Sequence, residues 1–367
     1  MKRVLVFGMN DNPGGVESVI MNYYRNIPNK DIHFDFLTNC QKIAYEDEII
    51  KNGSKIYKIT ARSKDIKKYT QEINAFFKNN AQEYSTIWVN LCSLANIDYL
   101  KLAKKYGIKK RIIHAHNSQN MDSKIRGLLH KVNKILLSNY ATDYWSCSQD
   151  ATNYFYTNKI RNINKIVTIN NAIDIEKYKF NNTVRQRIRK DLKIENNIVI
   201  GNVGRLHFQK NQSFLIDIFS MLSKIHDNLK LILVGEGEDH EKLENKVKEL
   251  NLDDKVLFLG AINNVDEILQ AFDLFVFPSL FEGLPVTLIE AQISGLKVFV
   301  GEKRINSKAN INNNKYYVIN PSEDRQKWVN IISENLYQYE RDNIDIDLIK
   351  KSGYDIKEET KKIINLF

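Results

Sequence analysis

Only three cysteines occur in 367 residues, Cys40, Cys92 and Cys147, and no two stand at a metal-ligating or redox spacing. Their scarcity excludes a disulfide-stapled scaffold and fits a reduced, cytoplasmic compartment. Five prolines and the lack of any low-complexity stretch argue against long disordered segments. No apolar run is long enough to span a bilayer. Lys2 and Arg3 lead straight into Val4-Leu5-Val6-Phe7-Gly8, a first strand and a glycine turn rather than a secretory leader. The dinucleotide fingerprint G-x-G-x-x-G is missing, so nicotinamide chemistry has no support.

What is present is a chain long enough for two domains, 43% apolar, with a lopsided charge. The net charge is +10, and residues 1–170 carry 26 Lys and Arg against 14 Asp and Glu, while the remainder carries 28 against 30. A basic half suits nucleic acid, an anionic lipid surface or a phosphorylated substrate. A merely lysine-rich solvated surface is the commoner case, and no aromatic stacking motif accompanies the charge to favour nucleic acid.

Short apolar runs alternate with helical patterns along both halves. In the first, strands are expected at 3–7, 33–37, 54–59, 86–89, 111–114, 143–147 and 165–169, with helices at 16–25, 64–78 and 95–106. In the second, strands are expected at 198–203, 230–234, 256–259, 274–277 and 297–300, with helices at 213–225, 240–250, 265–271 and 286–294. The alternation predicts an α/β architecture of two Rossmann-like domains with parallel sheets. The boundary falls in 171–197, a charged stretch rich in Arg and Lys, and residues 1–172 and 173–350 form the two domains. Residues 351–367 add an amphipathic helix.

Four polar clusters stand at strand ends, where such sheets bind ligands. Gly14 and Gly15, after the first strand, let backbone approach a ligand closely, or make only a turn. His114 and His116 end another strand, on one face if the strand continues through them, and His116 suits a sugar hydroxyl. Gly204-Arg205 followed by Lys210-Asn211 places two cations five residues apart, a pattern suited to a diphosphate. Gly235-Glu236-Gly237 forms a further turn that helps to wall a base pocket.

The most informative stretch is Glu282-Gly283-Leu284-Pro285-Val286-Thr287-Leu288-Ile289-Glu290. It follows a buried strand, and Pro285 suits the first turn of a helix. The free amides and dipole of that helix favour an anion, and the carboxylates suit sugar and ribose hydroxyls. A surface glutamate before an ordinary helix is the bland alternative. Asp345-Ile346-Asp347 has the spacing of a metal-holding pair but lies away from any strand end and reads as surface. Residues 124–137 place Ile125, Leu128, Leu129, Val132, Ile135 and Leu136 at helical spacing among Lys124, Arg126, Lys131 and Lys134. Such a helix lies on an anionic membrane or, more commonly, packs its apolar face on the core.

Taken in order, Gly14-Gly15-Val16-Glu17, His114-Ala115-His116-Asn117, Gly204-Arg205 with Lys210-Asn211, and Glu282 with Glu290 resemble the retaining family 4 glycosyltransferases of GT-B fold. The phrase from Phe281 to Leu296 is the most specific part. The phrase around His114 looks like the branch that builds bacterial capsular and extracellular polysaccharides. The resemblance implies two domains facing across a cleft, with the last helix crossing back to the first. It implies that Arg205 and Lys210 hold the donor diphosphate and that Glu290 binds ribose. Glu282 would contact the transferred sugar, Gly283 and Leu284 would offer amides, and His116 would sit at the reaction centre. Gly14 and Gly15 would lie under the donor. No metal or other cofactor is implied; the co-substrate is a nucleotide sugar, by family prior a UDP-sugar. The acceptor would be a lipid-linked or oligosaccharide glycan, with the protein peripheral at the inner membrane face.

Two phrases depart from the family pattern. Asn171-Ala172 stands where Asn-Gly is usual, and Glu302-Lys303-Arg304 replaces the usual Ser-Asp. Both lie outside the phosphate-binding set and bear on sugar choice. A nucleotide-sugar epimerase of the same build would share the diphosphate site without an acceptor. A non-catalytic partner subunit would keep the fold, and the intact set of Arg205, Lys210, Glu282 and Glu290 argues against it.

Overall fold

A computed structural model of the chain describes residues 2–28, 30–117, 123–282, 285–301, 309–320, 324–338, 341 and 344–367. The chain forms two units, Met1–Ala172 together with Ile356–Phe367, and Ile173–Asp355. The α/β expectation holds in each.

The first unit is built on a parallel sheet of β1 (Lys2–Phe7), β2 (Ile32–Thr38), β3 (Ile56–Lys58), β4 (Thr86–Leu91), β5 (Lys110–Ala115), β6 (Asp143–Ser146) and β7 (Ile166–Thr168). Their spatial order is β3-β2-β1-β4-β5-β6-β7. The strands are near-continuous apolar runs because helices cover both faces, as a parallel sheet requires. Register places Leu5 beside Ile87 and Trp88 beside Ile112. One face carries Leu5, Ile87, Val89 and Ile113 against Tyr69, Ile73 and Phe77 of the helix Ile66–Asn80. The opposite face is aromatic: the Phe367 ring lies 5.5, 5.4 and 5.1 Å from those of Phe34, Trp88 and Trp145. The last helix, Ile356–Ile364, therefore completes the first unit, and Lys2 Nζ donates to the Phe367 carbonyl at 2.6 Å.

The second unit repeats the plan with β8 (Ile198–Val203), β9 (Leu229–Val234), β10 (Val256–Phe258), β11 (Leu274–Phe277), β12 (Lys297–Gly301) and β13 (Tyr316–Ile319). Their order is β10-β9-β8-β11-β12-β13, all parallel. The charged stretch assigned to the boundary is instead partly a helix, Asn182–Asp191, capped by the Asn181 side chain. Its Arg185 and Arg189 close on Asp273, at 2.5 and 3.1 Å, and on the carbonyls of residues 270–272. Cations that look solvated in sequence thus tie this helix to the start of β11.

In both sheets the strand order reverses once, between β1 and β4 and between β8 and β11. At such a point the loops leaving adjacent carboxyl ends diverge to opposite faces and open a crevice. All five of the sequence clusters leave these strands or their immediate neighbours.

Candidate functional site

At the reversal of the first sheet, Gly8 follows β1 with φ of +125°. A Cβ there would lie 2.4 Å from the Asn90 carbonyl oxygen, so only glycine lets the turn close over β4. Beyond it, the buried Glu17 closes the loop. Its carboxylate accepts from Asn10 N at 3.1 Å, Asn10 Nδ2 at 2.8 Å and Gly14 N at 3.2 Å. Burial pushes the Glu17 carboxyl up, against the pull of these donors. A Cβ at Gly14 would meet Glu17 Oε2 at 2.7 Å, so a side chain there would displace that carboxylate. Gly15 opens the helix Gly15–Asn26 and faces open space.

Both histidines reach one acceptor although β5 ends at Ala115. His114 Nδ1 lies 3.1 Å and His116 Nε2 2.9 Å from Asn90 Oδ1, with ring centroids 4.0 Å apart. Asn90 Nδ2 donates to the Phe7 carbonyl at 3.3 Å, which turns its oxygen toward the rings. An amide oxygen only accepts, so each histidine carries its proton on the nitrogen facing Asn90. Burial lowers the His116 pKa to about 3 and drives that of His114 well below its ordinary value. Both rings are therefore neutral at pH 7, and the His116 Nδ1 lone pair is an acceptor. The arrangement suits a hydrogen bond from a hydroxyl and not the uptake of a proton.

The second sheet's reversal gathers the charged groups. The turn at Phe208–Lys210 and the segment 278–282 are stitched together. Gln209 Nε2 donates to the Phe281 carbonyl at 2.9 Å, Leu280 N to the Gln209 carbonyl at 2.9 Å, and Asn211 Nδ2 to the Pro278 carbonyl at 3.2 Å. That stitching brings Lys210 Nζ to 2.7 Å from Glu282 Oε1 and 4.9 Å from the Phe277 ring centroid. Gly204 makes room for the lysine stem, since a Cβ there would meet Lys210 Cε at 3.2 Å. The Arg205 guanidinium pairs with Glu238 at 3.0 Å and stays 68% exposed. His207 Nε2 shares that carboxylate at 3.1 Å. An accepted bond from its own backbone amide, reinforced by Arg205 and His207, holds the Glu238 carboxyl low.

The Gly235 turn presses on the same segment. With φ of +134°, Gly235 would place a Cβ 2.2 Å from the Gly204 carbonyl, and Gly237 one 2.1 Å from that of Leu206. Pro285 stands at the N-cap of the helix Val286–Ile293 without a side-chain cap. Glu290 lies on that helix, buried, where desolvation raises its pKa to about 7 despite a hydrogen bond from Tyr178.

Residues 184–344 match the family model described as glycosyl transferases group 1. The chain is 27% identical to a putative glycosyltransferase, EpsF, of Bacillus subtilis, over 100% of this chain and 96% of that protein. It is 26% identical to the capsular polysaccharide biosynthesis glycosyltransferase CapH of Staphylococcus aureus, covering 82% and 81%. It is 35% identical to an Escherichia coli UDP-Gal:α-D-GlcNAc-diphosphoundecaprenol α-1,3-galactosyltransferase, covering 42% and 39%. Among solved structures, Anabaena HepE in complex with UDP and glucose superposes with a TM-score of 0.79 at 19% identity, covering 100% and 99%. The chain is a glycosyltransferase of the GT-B fold.

Within this glycosyltransferase the residues singled out by sequence divide between the two units. Gly14, Gly15 and His116 belong to the first unit, and Arg205, Lys210, Glu282 and Glu290 to the second. Lys210 and Glu282 meet directly, Arg205 is held by Glu238, and Glu290 is held by Tyr178. Gly283, Leu284 and the phrase Glu302-Lys303-Arg304 lie outside the described residues. Asp345 is exposed and caps the helix Ile346–Lys351, accepting from Asp347 N at 2.9 Å, as a surface reading requires. Sequence reasoning missed Asn90, Glu238 and Phe208, whose 57% exposed ring lies 6.1 Å from that of Phe281. The only signal for Asn90 is one polar side chain at the end of the apolar run Thr86–Leu91.

Proposed function

We propose that this chain is a retaining, metal-independent glycosyltransferase that moves a sugar from a UDP-sugar to a lipid-linked acceptor during bacterial surface polysaccharide synthesis. The observation that carries the reading is the Lys210–Glu282 pair at the strand reversal, with the exposed Arg205 on the segment between β8 and Lys210. Lys210 supplies a compact charge to one phosphate oxygen and orients Glu282. Arg205 leaves Glu238 and offers its planar fork to the diphosphate. These two cations and the free amides in the first turn of the helix Val286–Ile293 supply the charge stabilisation that a metal supplies to other transferases. Glu290, its pKa raised to about 7 in its buried site, hydrogen-bonds a ribose hydroxyl.

The bond between the sugar anomeric carbon and the phosphate oxygen breaks, and the acceptor oxygen bonds to that carbon on the same face. The acceptor proton passes to the departing phosphate oxygen. Glu282 favours the oxocarbenium-like state, and His116 accepts a hydrogen bond from a sugar hydroxyl. The donor and acceptor classes draw support from the UDP-bound neighbour and from the relative acting on a diphosphoundecaprenol-linked sugar. Surface polysaccharide draws support from the capsular relative.

The test is nucleoside diphosphate release from a panel of UDP-, GDP- and ADP-sugars with and without membrane lipid extract, comparing wild type with Glu282→Ala. Release from one UDP-sugar that requires extract and is lost in the variant supports the reading. Release without acceptor, with an epimerised sugar as product, or release from no donor at all, overturns it.

A further inference from the structure

On the helix Lys124–Leu136 the residues turned inward are polar, His130 and Asn133, and Ile125, Leu128 and Ile135 face solvent, the reverse of the core packing expected from sequence. A second exposed apolar group stands in the other unit, among charges. Phe208 is 57% exposed, while every other described phenylalanine is buried or half-buried, and Leu280 is 40% exposed.

The Phe208 ring is held from behind. His207 Nδ1 accepts from Gln209 N at 3.3 Å and its Nε2 donates to Glu238 at 3.1 Å, and the centroid of the imidazole so fixed lies 4.3 Å from that of Phe208. The Phe281 centroid lies 6.1 Å away, and the hydrogen bonds between Gln209 and residues 280–281 keep that spacing. A single exposed ring is ordinary on a surface. The company of this one is not: before it in the chain Arg205 and His207 share Glu238, and after it Lys210 meets Glu282.

Those charges decide the occupant. A lipid tail or an apolar protein face laid over the ring would strip water from the ion pairs and return no hydrogen bond. A pyranose presents C–H groups on one face, positively polarised as an aromatic face requires, and hydroxyls on its rim for Glu238 and Glu282 to accept from. The reaction geometry says which pyranose. In the same-face transfer described above, the acceptor gives its proton to the departing phosphate oxygen, so the acceptor ring lies alongside the diphosphate. Arg205 and Lys210 hold that diphosphate, and Phe208 stands in the segment between them.

We propose that the Phe208 ring, backed by His207 and Phe281, is the platform on which the acceptor's sugar ring stacks, and that it sets acceptor affinity and not the chemical step. The inference rests on the same-face reading for assigning the ring to the acceptor.

The test is saturation-transfer NMR of the purified full chain with the methyl glycosides of glucose, galactose, mannose and N-acetylglucosamine, with and without UDP. Saturation of the ring C–H protons of at least one glycoside is expected. Phe208→Ala should weaken that glycoside about three- to tenfold and Phe208→Trp restore it, while UDP affinity by calorimetry and the thermal unfolding midpoint stay unchanged. With membrane lipid extract as acceptor, Phe208→Ala should raise the acceptor KM by the same factor and leave kcat and the donor KM as they are. Saturation of no glycoside, equal affinity in wild type and Phe208→Ala, or a loss of UDP affinity in Phe208→Ala, which would put the ring under the base, overturns the proposal. Glycoside binding needs no turnover, so its failure and that of the donor assay are read separately.

Discussion

Replacing Asn90 with alanine removes the atom that accepts from the buried His114 ring and the half-buried His116 ring. Asn90 is buried, and His114 Nδ1 and His116 Nε2 point at its oxygen from 3.1 and 2.9 Å. Among the described residues His114 Nε2 has no hydrogen-bond partner in its aromatic surroundings. Each stranded N–H costs about 1–3 kcal/mol, so the expected destabilisation is about 2–6 kcal/mol, a large share of the roughly 5–15 kcal/mol a domain possesses. Trp88 and Trp145 lie in the first unit and Trp328 in the second. Urea unfolding followed by fluorescence in a Trp328→Phe background therefore reports the first unit alone. Asn90→Asp should retain the acceptor and raise the affinity of the pair for a proton, so that one imidazole shows a charged ring signal by NMR at pH 7. A loss below about 0.5 kcal/mol in Asn90→Ala, with both rings unchanged in Asn90→Asp, would refute the shared-acceptor arrangement.

Arg205→Ala should lower turnover on the order of 10²–10³ if its charge meets the departing phosphate, checked by nucleoside diphosphate release at saturating donor; a near-normal rate removes Arg205 from the site. The two units should respond oppositely to acid. The His116 pKa, lowered to about 3, means that only the unfolded first unit gains a proton as pH falls from 6.5, so its stability drops over that range. Glu290, raised from 4.5 to about 7, binds its proton more tightly when folded, so the second unit gains stability as pH falls from 7 towards 4.5. Denaturant midpoints measured across pH, with Glu290→Gln flattening the second curve, check both signs. Gly201→Ala would drive a methyl to 2.0 Å from the Phe272 ring and should cost about 1–3 kcal/mol or more, read from the Trp328 unfolding transition.

Fold class is legible here because parallel strands buried on both faces leave unbroken apolar runs such as Ile198–Val203 and Leu274–Phe277. Lys210 and Glu282 are legible as types because each follows such a strand. Asn90 is not, since its partners lie 24 and 26 residues away and nothing local distinguishes one asparagine from another. Arg185 and Arg189 mislead in the same way: their acceptor, Asp273, is 88 and 84 residues distant, and a cation in a polar stretch looks solvated until the fold supplies it. For Lys124–Leu136 the spacing yields the stripe but not its direction. Two polar residues on the far side, His130 and Asn133, decide that through contacts with Leu94.

The return of the helix Ile356–Ile364 to the first sheet bears on how the protein is made. During synthesis the strands of the first sheet emerge before the aromatic ring that seals Trp88 and Trp145. The whole of residues 173–355 must be translated in between, which at about 5–20 residues per second takes roughly 10–40 s. Throughout that interval the nascent first unit carries an open aromatic trough, and its native packing is completed only after residues 173–355 have been made.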